Sequence, residues 1–255
     1  MNTTTKPVFL AAIFIAIALT FSCSSDNGKD SDADSSSSNG DSSSSAEPSS
    51  SSVAPSSSSS SLDSYSFMDT RDNQIYKWVK IGDQIWMAEN LNYNAEGSQC
   101  FDNDASNCAT YGRLYDWTRA MTINGSGVCP LGWHIPSDEE WDTLTIAVGG
   151  TISGNRRIGA GTALKATSGW IAGGSWDLIP GTDDFGFSAL PGGHGETGGA
   201  TPGFYAAGYY GGWWTSTNNF SYSAWRWSMG SNGDFAQRSS SYTGGVLHSV
   251  RCVKD

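Results

Sequence analysis

The residues best suited to chemistry stand in the stretch "CPLGWHIPSDEEWDTL", residues 129–144. His134 is one of only three histidines in the chain, and Glu139 and Glu140 follow it closely. A histidine beside carboxylates can bind a metal ion or transfer a proton. Metal motifs such as H-E-x-x-H also place a second donor at a fixed spacing, which this stretch lacks. The same acids therefore need a structural interpretation as well.

That interpretation is a helix that begins after Ser137. Glu140 stands three residues after Ser137, which is the spacing of a capping box. Glu139 falls in the first turn, where the helix dipole favours negative charge, and Gly149-Gly150 can end the helix. A lone histidine beside apolar residues is more often packed or hydrogen-bonded than a ligand, so His134 is a weak candidate for a site.

A second set of oxygen donors lies in a glycine-rich region, at Asp183, Asp184 and Glu196. Calcium binds six to eight oxygens, several of them from acids, so these residues are a candidate calcium site. Together with His194 they are also the one cluster to test for catalysis, although no residue is assigned a catalytic role. The alternative is that Asp183 and Asp184 only cap turns.

Aromatic residues supply the strongest indication of binding. From Gly173 onward the chain is rich in glycine and aromatic residues. Flat aromatic faces on loops suit stacking against sugar rings, and rigid aromatic side chains are common binding anchors. The alternative is that the large rings fill the core of a loop-rich domain. The predicted ligand-binding residues are Trp176, Tyr209, Tyr210, Trp213 and His194.

The cysteines indicate disulfides. Apart from Cys23 there are four, an even number, which allows three pairings. Cys100–Cys108 would close a short polar loop, and Cys129–Cys252 would then close a loop of more than a hundred residues. A zinc site made of all four cysteines is disfavoured because no C-x2-C pair is present.

The amino-terminal region has the layout of an export signal and a tether. Residues 1–22 carry one cation and then an apolar run that is too short to span a bilayer, which requires ~20 residues. Cys23 stands where a bacterial lipoprotein is lipidated, with an ordinary secretory signal as the alternative. Residues 24–66 contain 23 serines, so residues 23–66 are predicted to be a lipidated cysteine and a disordered tether. We therefore expect an exported protein, lipid-anchored to the outer membrane or cell surface.

Residues 67–255 form the predicted folded domain. All eleven tryptophans lie in this range, which has a normal size for one domain. From Tyr65 onward there are eighteen acids and twelve cations, and no cluster of lysine or arginine, which argues against nucleic acid as a partner. No glycine-rich phosphate loop follows a predicted strand.

Periodicity predicts an α+β domain. A hairpin with a Gly82-Asp83 turn is expected over 75–91, and short helices over 111–123, after Ser137 and over 161–170. Long glycine-rich loops follow. The remaining strands form an antiparallel sheet and are expected at 213–217, 224–230, 234–239 and 246–255.

Six segments, taken in the order in which they occur, resemble the Fibrobacter succinogenes major paralogous domain (Fib_succ_major). They are "VKIGDQIWMAENLNY", "YGRLYDW", "CPLGWHIPSDEEWDTL", "DDFGFSALPGG", "WWTST" and "SVRCVKD". The resemblance implies a fold similar to the C-type lectin-like and sulfatase-modifying proteins, with Cys129–Cys252 as the core bridge. The sulfatase-modifying proteins use reactive cysteines and copper, and no cysteine is left here for that chemistry.

Three functions from different classes follow. The favoured one is a surface-anchored lipoprotein whose lectin-like module binds polysaccharide or another surface protein, without a cofactor unless calcium is bound. The second is a structural envelope protein without a small ligand. The third is an enzyme, which would require paired carboxylates or a nucleophile facing a pocket.

Overall fold

The computed structural model describes residues 65–123, 127–174, 176–198 and 203–255. The predicted signal, the lipidated Cys23 and nearly all of the tether lie outside the described residues. Within the described ranges, no helix is both long and apolar enough to cross a membrane.

Strands dominate the described part of the chain. The strands are β1 (Tyr65–Met68), β2 (Ile75–Ile81), β3 (Gln84–Met87), β4 (Ser98–Gln99), β5 (Leu114–Asp116), β6 (Trp133–His134), β7 (Thr151–Ser153), β8 (Arg156–Ile158), β9 (Gly192–Glu196), β10 (Gly203–Ala207), β11 (Tyr210–Phe220), β12 (Ser223–Gly230), β13 (Phe235–Tyr242), β14 (Val246–Ser249) and β15 (Val253–Lys254). The helices are α1 (Ala105–Tyr111), α2 (Trp117–Thr122), α3 (Asp138–Ala147) and α4 (Ala160–Leu164), and a 3-10 turn spans Phe101–Asn103.

The strands form two sheets. The smaller has the order β1-β2-β3-β15-β6. The larger has the order β4-β5-β14-β9-β11-β12-β13-β8-β7, with β10 paired to β9. The carboxyl-terminal chain joins the two, because β14 belongs to the large sheet and β15 to the small one. Most pairs are antiparallel, but β11 makes single parallel bridges to β9 and to β14.

The α+β prediction is wrong, because the domain is mostly β, with 41% strand and 17% helix, and its large antiparallel sheet is curled. The error has a local cause: the periodicity of residues 111–123 predicted one helix, but its first part forms β5 and only Trp117–Thr122 is helical. Likewise α4 is confined to Ala160–Leu164. The hairpin of β2 and β3 and the strands expected at 213–217, 224–230 and 234–239 are confirmed. The strand expected over 246–255 is interrupted, because β14 ends at Ser249 and β15 pairs in the other sheet.

Helix α3 begins where the sequence predicts. The Ser137 hydroxyl accepts a hydrogen bond from the Glu140 backbone N–H, and the Glu140 carboxylate accepts one from the Ser137 N–H. This capping box satisfies two backbone donors that a helix start otherwise leaves unpaired. The helix then buries Trp141 and Leu144 completely.

Trp141 is the centre of the first core. Its ring lies 5.0 Å from Trp86 of the small sheet, 5.8 Å from Trp213 and 6.5 Å from Trp227 of the large sheet, and 5.8 Å from Phe187. All five side chains are fully buried. Burial of aromatic area of this size dominates the stability of a small domain.

Both predicted disulfides are present, Cys100–Cys108 and Cys129–Cys252. The second attaches the segment just before β6 to the segment just before β15, next to where those strands pair. It lies in a second core that also includes Tyr115 and Trp214, on the opposite face of β11 from Trp213.

Removal of the two disulfides should have unequal effects. Cys129–Cys252 spans a sequence separation of 123 and Cys100–Cys108 one of 8. From loop-closure entropy we expect replacement of the long-range pair by alanines to lower the free energy of unfolding by roughly 5 kcal/mol, and of the local pair by roughly 2–3 kcal/mol. Urea unfolding of the two double variants measures this. Equal losses would contradict the prediction.

Candidate functional site

His134 forms ion pairs with Glu140, on helix α3, and with Asp255, at the end of the chain. Its Nδ1 lies 2.6 Å from Asp255 Oδ1, and its Nε2 lies 2.9 Å from Glu140 Oε1. An imidazole that donates to two carboxylates is held in its charged form. The hydrogen bond to Glu140 is the main cause that raises the pKa of His134 to about 9, against the opposing effect of burial.

Glu140 is held as a carboxylate by the same contacts. Burial alone raises its pKa, but hydrogen bonds from His134 and Ser137 outweigh burial and lower the pKa to about 2. Its carboxylate is thus occupied by the helix cap and by the imidazolium. These residues tie α3 to the carboxyl terminus through hydrogen bonds and ion pairs.

The candidate calcium ligands are not brought together. Asp183 accepts hydrogen bonds from the backbone N–H and the hydroxyl of Ser188, at 2.6 Å and 2.5 Å, and closes its own turn. The Asp184 backbone N–H donates to Ala163, whereas Glu196 lies on β9. In the described ranges no group of three His, Cys, Asp or Glu residues could hold a metal ion.

The five predicted ligand-binding residues lie in three different parts of the structure: the core, an exposed patch and a cleft. Trp213 has no exposed surface, and its indole N–H donates to Asn90 Oδ1 at 2.8 Å. This burial corrects the prediction that Trp213 belongs to a binding surface, since no ligand can reach its ring. Trp176 and Tyr209 are exposed and flank Gly173. Tyr210 and His194 lie elsewhere, in a cleft.

This cleft, of about 580 Å³, opens on the large sheet. Its volume falls in the ~300–1,000 Å³ range of ligand sites. Strands β9, β11, β12, β13 and β14 all contribute to it, so regular structure positions its walls. The lining residues are His194, Glu196, Tyr210, Asn219, Phe220, Ser223, Arg226, Ser240, Ser241, Tyr242, Val246 and His248.

Strand alternation decides which residues face the cleft. Trp213 and Trp227 pair across β11 and β12 and point into the first core. Because side chains alternate between the faces of a strand, the neighbouring Arg226 projects to the other face, opposite Trp214. The apolar core on one side therefore fixes the position of the cation on the other.

Gly212 is a buried residue that packs beneath two groups of the cleft. A Cβ placed on Gly212 would lie 2.6 Å from the Tyr210 hydroxyl and 3.0 Å from His248 Nδ1. Two polar atoms from strands β11 and β14 thus converge above a residue without a side chain. The backbone of Gly212 is outside the left-handed region, so space rather than conformation requires glycine here.

The polar groups of the cleft are incompletely paired. Arg226 Nη1 donates to the Tyr210 hydroxyl, and His248 Nε2 lies 3.3 Å from the Ser241 hydroxyl. Among the described residues, no partner is found for the buried Nδ1 atoms of His194 and His248 or for Arg226 Nε. Buried polar atoms in folded proteins nearly always have a partner, so these three indicate a place for water or a ligand.

Both histidines of the cleft are held neutral. Burial lowers the pKa of His194, Glu196 raises it, and Arg226 lowers it further. Burial lowers the pKa of His248 well below its usual range, and Arg226 and His194 act in the same direction. At neutral pH the cleft therefore presents one guanidinium, one carboxylate and two uncharged imidazoles.

Sequence reasoning points to three of the polar residues of this cleft. It predicts Tyr210 and His194 as ligand-binding residues and Glu196 as a calcium ligand. Arg226 was missed, although the alternation in "AWRWSMG" places it on the face opposite Trp227. His248 could not be assigned because its neighbours on β9 and β11 come from distant sequence.

The sequence profile of the Fibrobacter succinogenes major domain (Fib_succ_major) matches residues 79–254. The chain belongs to this family. The match includes every strand from β3 to β15 and so covers the whole cleft. No curated protein and no solved structure matches the chain. The family assignment made from the six segments is confirmed, whereas the expected likeness to C-type lectins is not shown.

The ion pairs of His134 predict a pH dependence of stability for this Fib_succ_major domain. A pKa raised from 6.5 to about 9 gives a stabilising contribution that is complete below pH 6.5 and is lost as the pH rises through about 9. His134→Gln should remove this loss. The side chain is 38% exposed, so we expect a difference on the order of 1 kcal/mol after screening.

Urea unfolding of both proteins from pH 6 to pH 9.5 measures the effect. Lys165, whose pKa burial lowers to about 8, titrates in the same range but is common to both proteins and cancels in the difference. Asp255→Asn removes one of the two ion pairs and should give an intermediate slope. Parallel curves for the wild type and His134→Gln would refute the prediction.

Proposed function

We propose that this domain binds a saccharide in the cleft of the large sheet. The observation that supports this most is the combination of an open cleft lined by polar donors and acceptors with two exposed aromatic rings at its rim. Phe220 is 77% exposed and Tyr242 is 72% exposed, although both side chains are large and apolar enough to favour burial.

The chemistry of the cleft suits a sugar. The C–H face of a sugar ring packs against a flat aromatic ring, while its hydroxyls exchange hydrogen bonds with polar side chains. Phe220 and Tyr242 supply the rings, and Ser223, Ser240 and Ser241 are the serines among the lining residues. Exposed aromatic groups of this kind on a rigid sheet are typical of a binding surface.

We further propose that the domain is displayed on the cell surface by a lipid on Cys23. The short apolar run, the cysteine that follows it and the serine-rich tether support this arrangement. The tether would hold the cleft away from the membrane and let it reach an insoluble polysaccharide or a partner on the surface. A structural role in the envelope without a ligand remains the competing hypothesis, and the cleft gives no specific support to it.

Substitution of the rim aromatics should abolish binding without unfolding the domain. We expect Phe220→Ala and Tyr242→Ala each to weaken retention on the bound polysaccharide by ~10-fold or more, because each removes a stacking surface. Gly212→Ala should also weaken binding, since its methyl group would displace Tyr210 and His248, which line the cleft. Affinity electrophoresis in gels that contain single polysaccharides measures the retention.

Tyr222 provides the matched control. It is 79% exposed at the tip of the β11–β12 hairpin but does not line the cleft, so Tyr222→Ala should bind as the wild type does. Trp176→Ala tests the separate patch beside Tyr209. If Trp176→Ala abolished binding and the rim variants did not, the saccharide would bind at that patch instead of the cleft.

The anchor has its own test. Cells that express the wild type and are fed labelled palmitate should incorporate the label into the protein, and Cys23→Ser should not. The variant should also leave the membrane fraction, whereas Ser25→Ala should stay there. Retention of the label by Cys23→Ser would exclude lipidation at this residue.

A further inference from the structure

The charge of Arg226 is not neutralised by any carboxylate of the described chain. Four other arginines form ion pairs: Arg71 with Asp69, Arg119 with Glu96, Arg157 with Asp142 and Arg238 with Asp138. Among the described residues, Arg113, Arg156 and Arg251 have no ion pair either. Arg226 is half-buried in the cleft and has no carboxylate within 4.0 Å among the described residues. In a protein with a net charge of −11, an acid could readily have been its partner.

The groups around Arg226 do not supply the missing negative charge. Its Nη1 donates to the neutral hydroxyl of Tyr210, and its Nε is buried without a partner in the described part of the chain. The ring centroids of the neighbouring His194 and His248 are 5.9 Å apart. The buried Nδ1 atom of each ring has no hydrogen-bond partner among the described residues. His248 is only 2% exposed, so its unpaired nitrogen is a second, independent indication of an absent ligand or water.

The cleft is also polarised from one side to the other. Arg226 is on β12 and Glu196 is on β9, and β11 lies between these strands. Two strand spacings amount to roughly 10 Å between the backbones. A ligand with its anionic group over β12 and its hydroxyls toward β9 would place charge against the guanidinium and hydroxyl donors against the carboxylate.

On this basis, and resting on the proposed saccharide function, we propose that the ligand is an acidic saccharide whose carboxylate binds Arg226. A guanidinium presents parallel N–H donors that fit the two oxygens of a planar carboxylate, and such charge-assisted pairs are stronger than neutral hydrogen bonds. The sugar ring that carries the carboxylate would then lie toward Phe220 and Tyr242 at the rim. Neutral saccharides would use the rim and the serines but would leave Arg226 unpaired.

The test compares one polymer in two charge states. Binding of the purified full-length protein to polygalacturonate and to its methyl ester is measured by titration calorimetry, because esterification removes the charge and keeps the backbone of the polymer. We expect polygalacturonate to bind ~10-fold or more tightly, and the preference to shrink as sodium chloride is raised. Arg226→Gln should remove the preference, so that the variant binds the acid and the ester with the same affinity.

Arg156→Gln is the matched control for charge. Arg156 is exposed on β8, packs over the ring of Phe235 and lies outside the cleft, so its loss changes the net charge equally. This variant should keep the preference for polygalacturonate. Unfolding curves of both variants establish that each remains folded.

The outcomes separate the two proposals. Equal binding of acid and ester, binding of neutral polymers alone, or a preference that survives Arg226→Gln would overturn the acidic-ligand proposal and leave saccharide binding intact. The same titrations with alginate, hyaluronate, xylan and soluble cellulose derivatives extend the test. Binding to none of these polymers would overturn saccharide binding itself, and the acidic ligand with it.

Discussion

The packing of four aromatic rings around Trp141 is the constraint on which the rest of the domain depends. Helix α3 contributes this one indole, and it contacts rings from the small sheet, the large sheet and the loop that carries Phe187. Interiors are packed as densely as crystals, so a cluster of this kind fixes the distance and orientation of the parts it joins. The capping box at Ser137 and the ion pairs of His134 hold the helix start at the place that this packing requires.

The same packing determines the character of the cleft. Trp213 on β11 and Trp227 on β12 both face Trp141. Because side chains alternate along a strand, the residues next to each of them in sequence face the opposite side of the sheet. On that opposite side, Gly212 of β11 packs beneath Tyr210 and His248, and the side chain of Arg226 of β12 projects into the cleft. Arg226 is thus held on a strand whose opposite face is fixed by core packing, so the walls of the cleft are preorganised.

Features with local causes could be predicted from the sequence, and features set by distant pairing could not. The Ser137–Glu140 cap and the Gly82-Asp83 turn depend on residues within one turn of each other, and both are confirmed. Trp213 looked like a loop aromatic, yet it is buried because β11 lies between β9 and β12, a neighbourhood that no short window of sequence reveals. The disulfide to Cys252 was predictable because four cysteines allow few pairings, whereas a β-sheet of ten strands allows very many.

Membership of the family accounts for the frame of the molecule and leaves its ligand undetermined. The six segments that carry the resemblance contain Trp86, Trp141, Trp213 and Cys252, which build the two cores. None of the twelve residues that line the cleft lies in those segments; "DDFGFSALPGG" ends one residue before His194, and "SVRCVKD" begins one residue after His248. The ligand therefore has to be argued from Arg226 and the aromatic rim and not from the six segments, which do not include them.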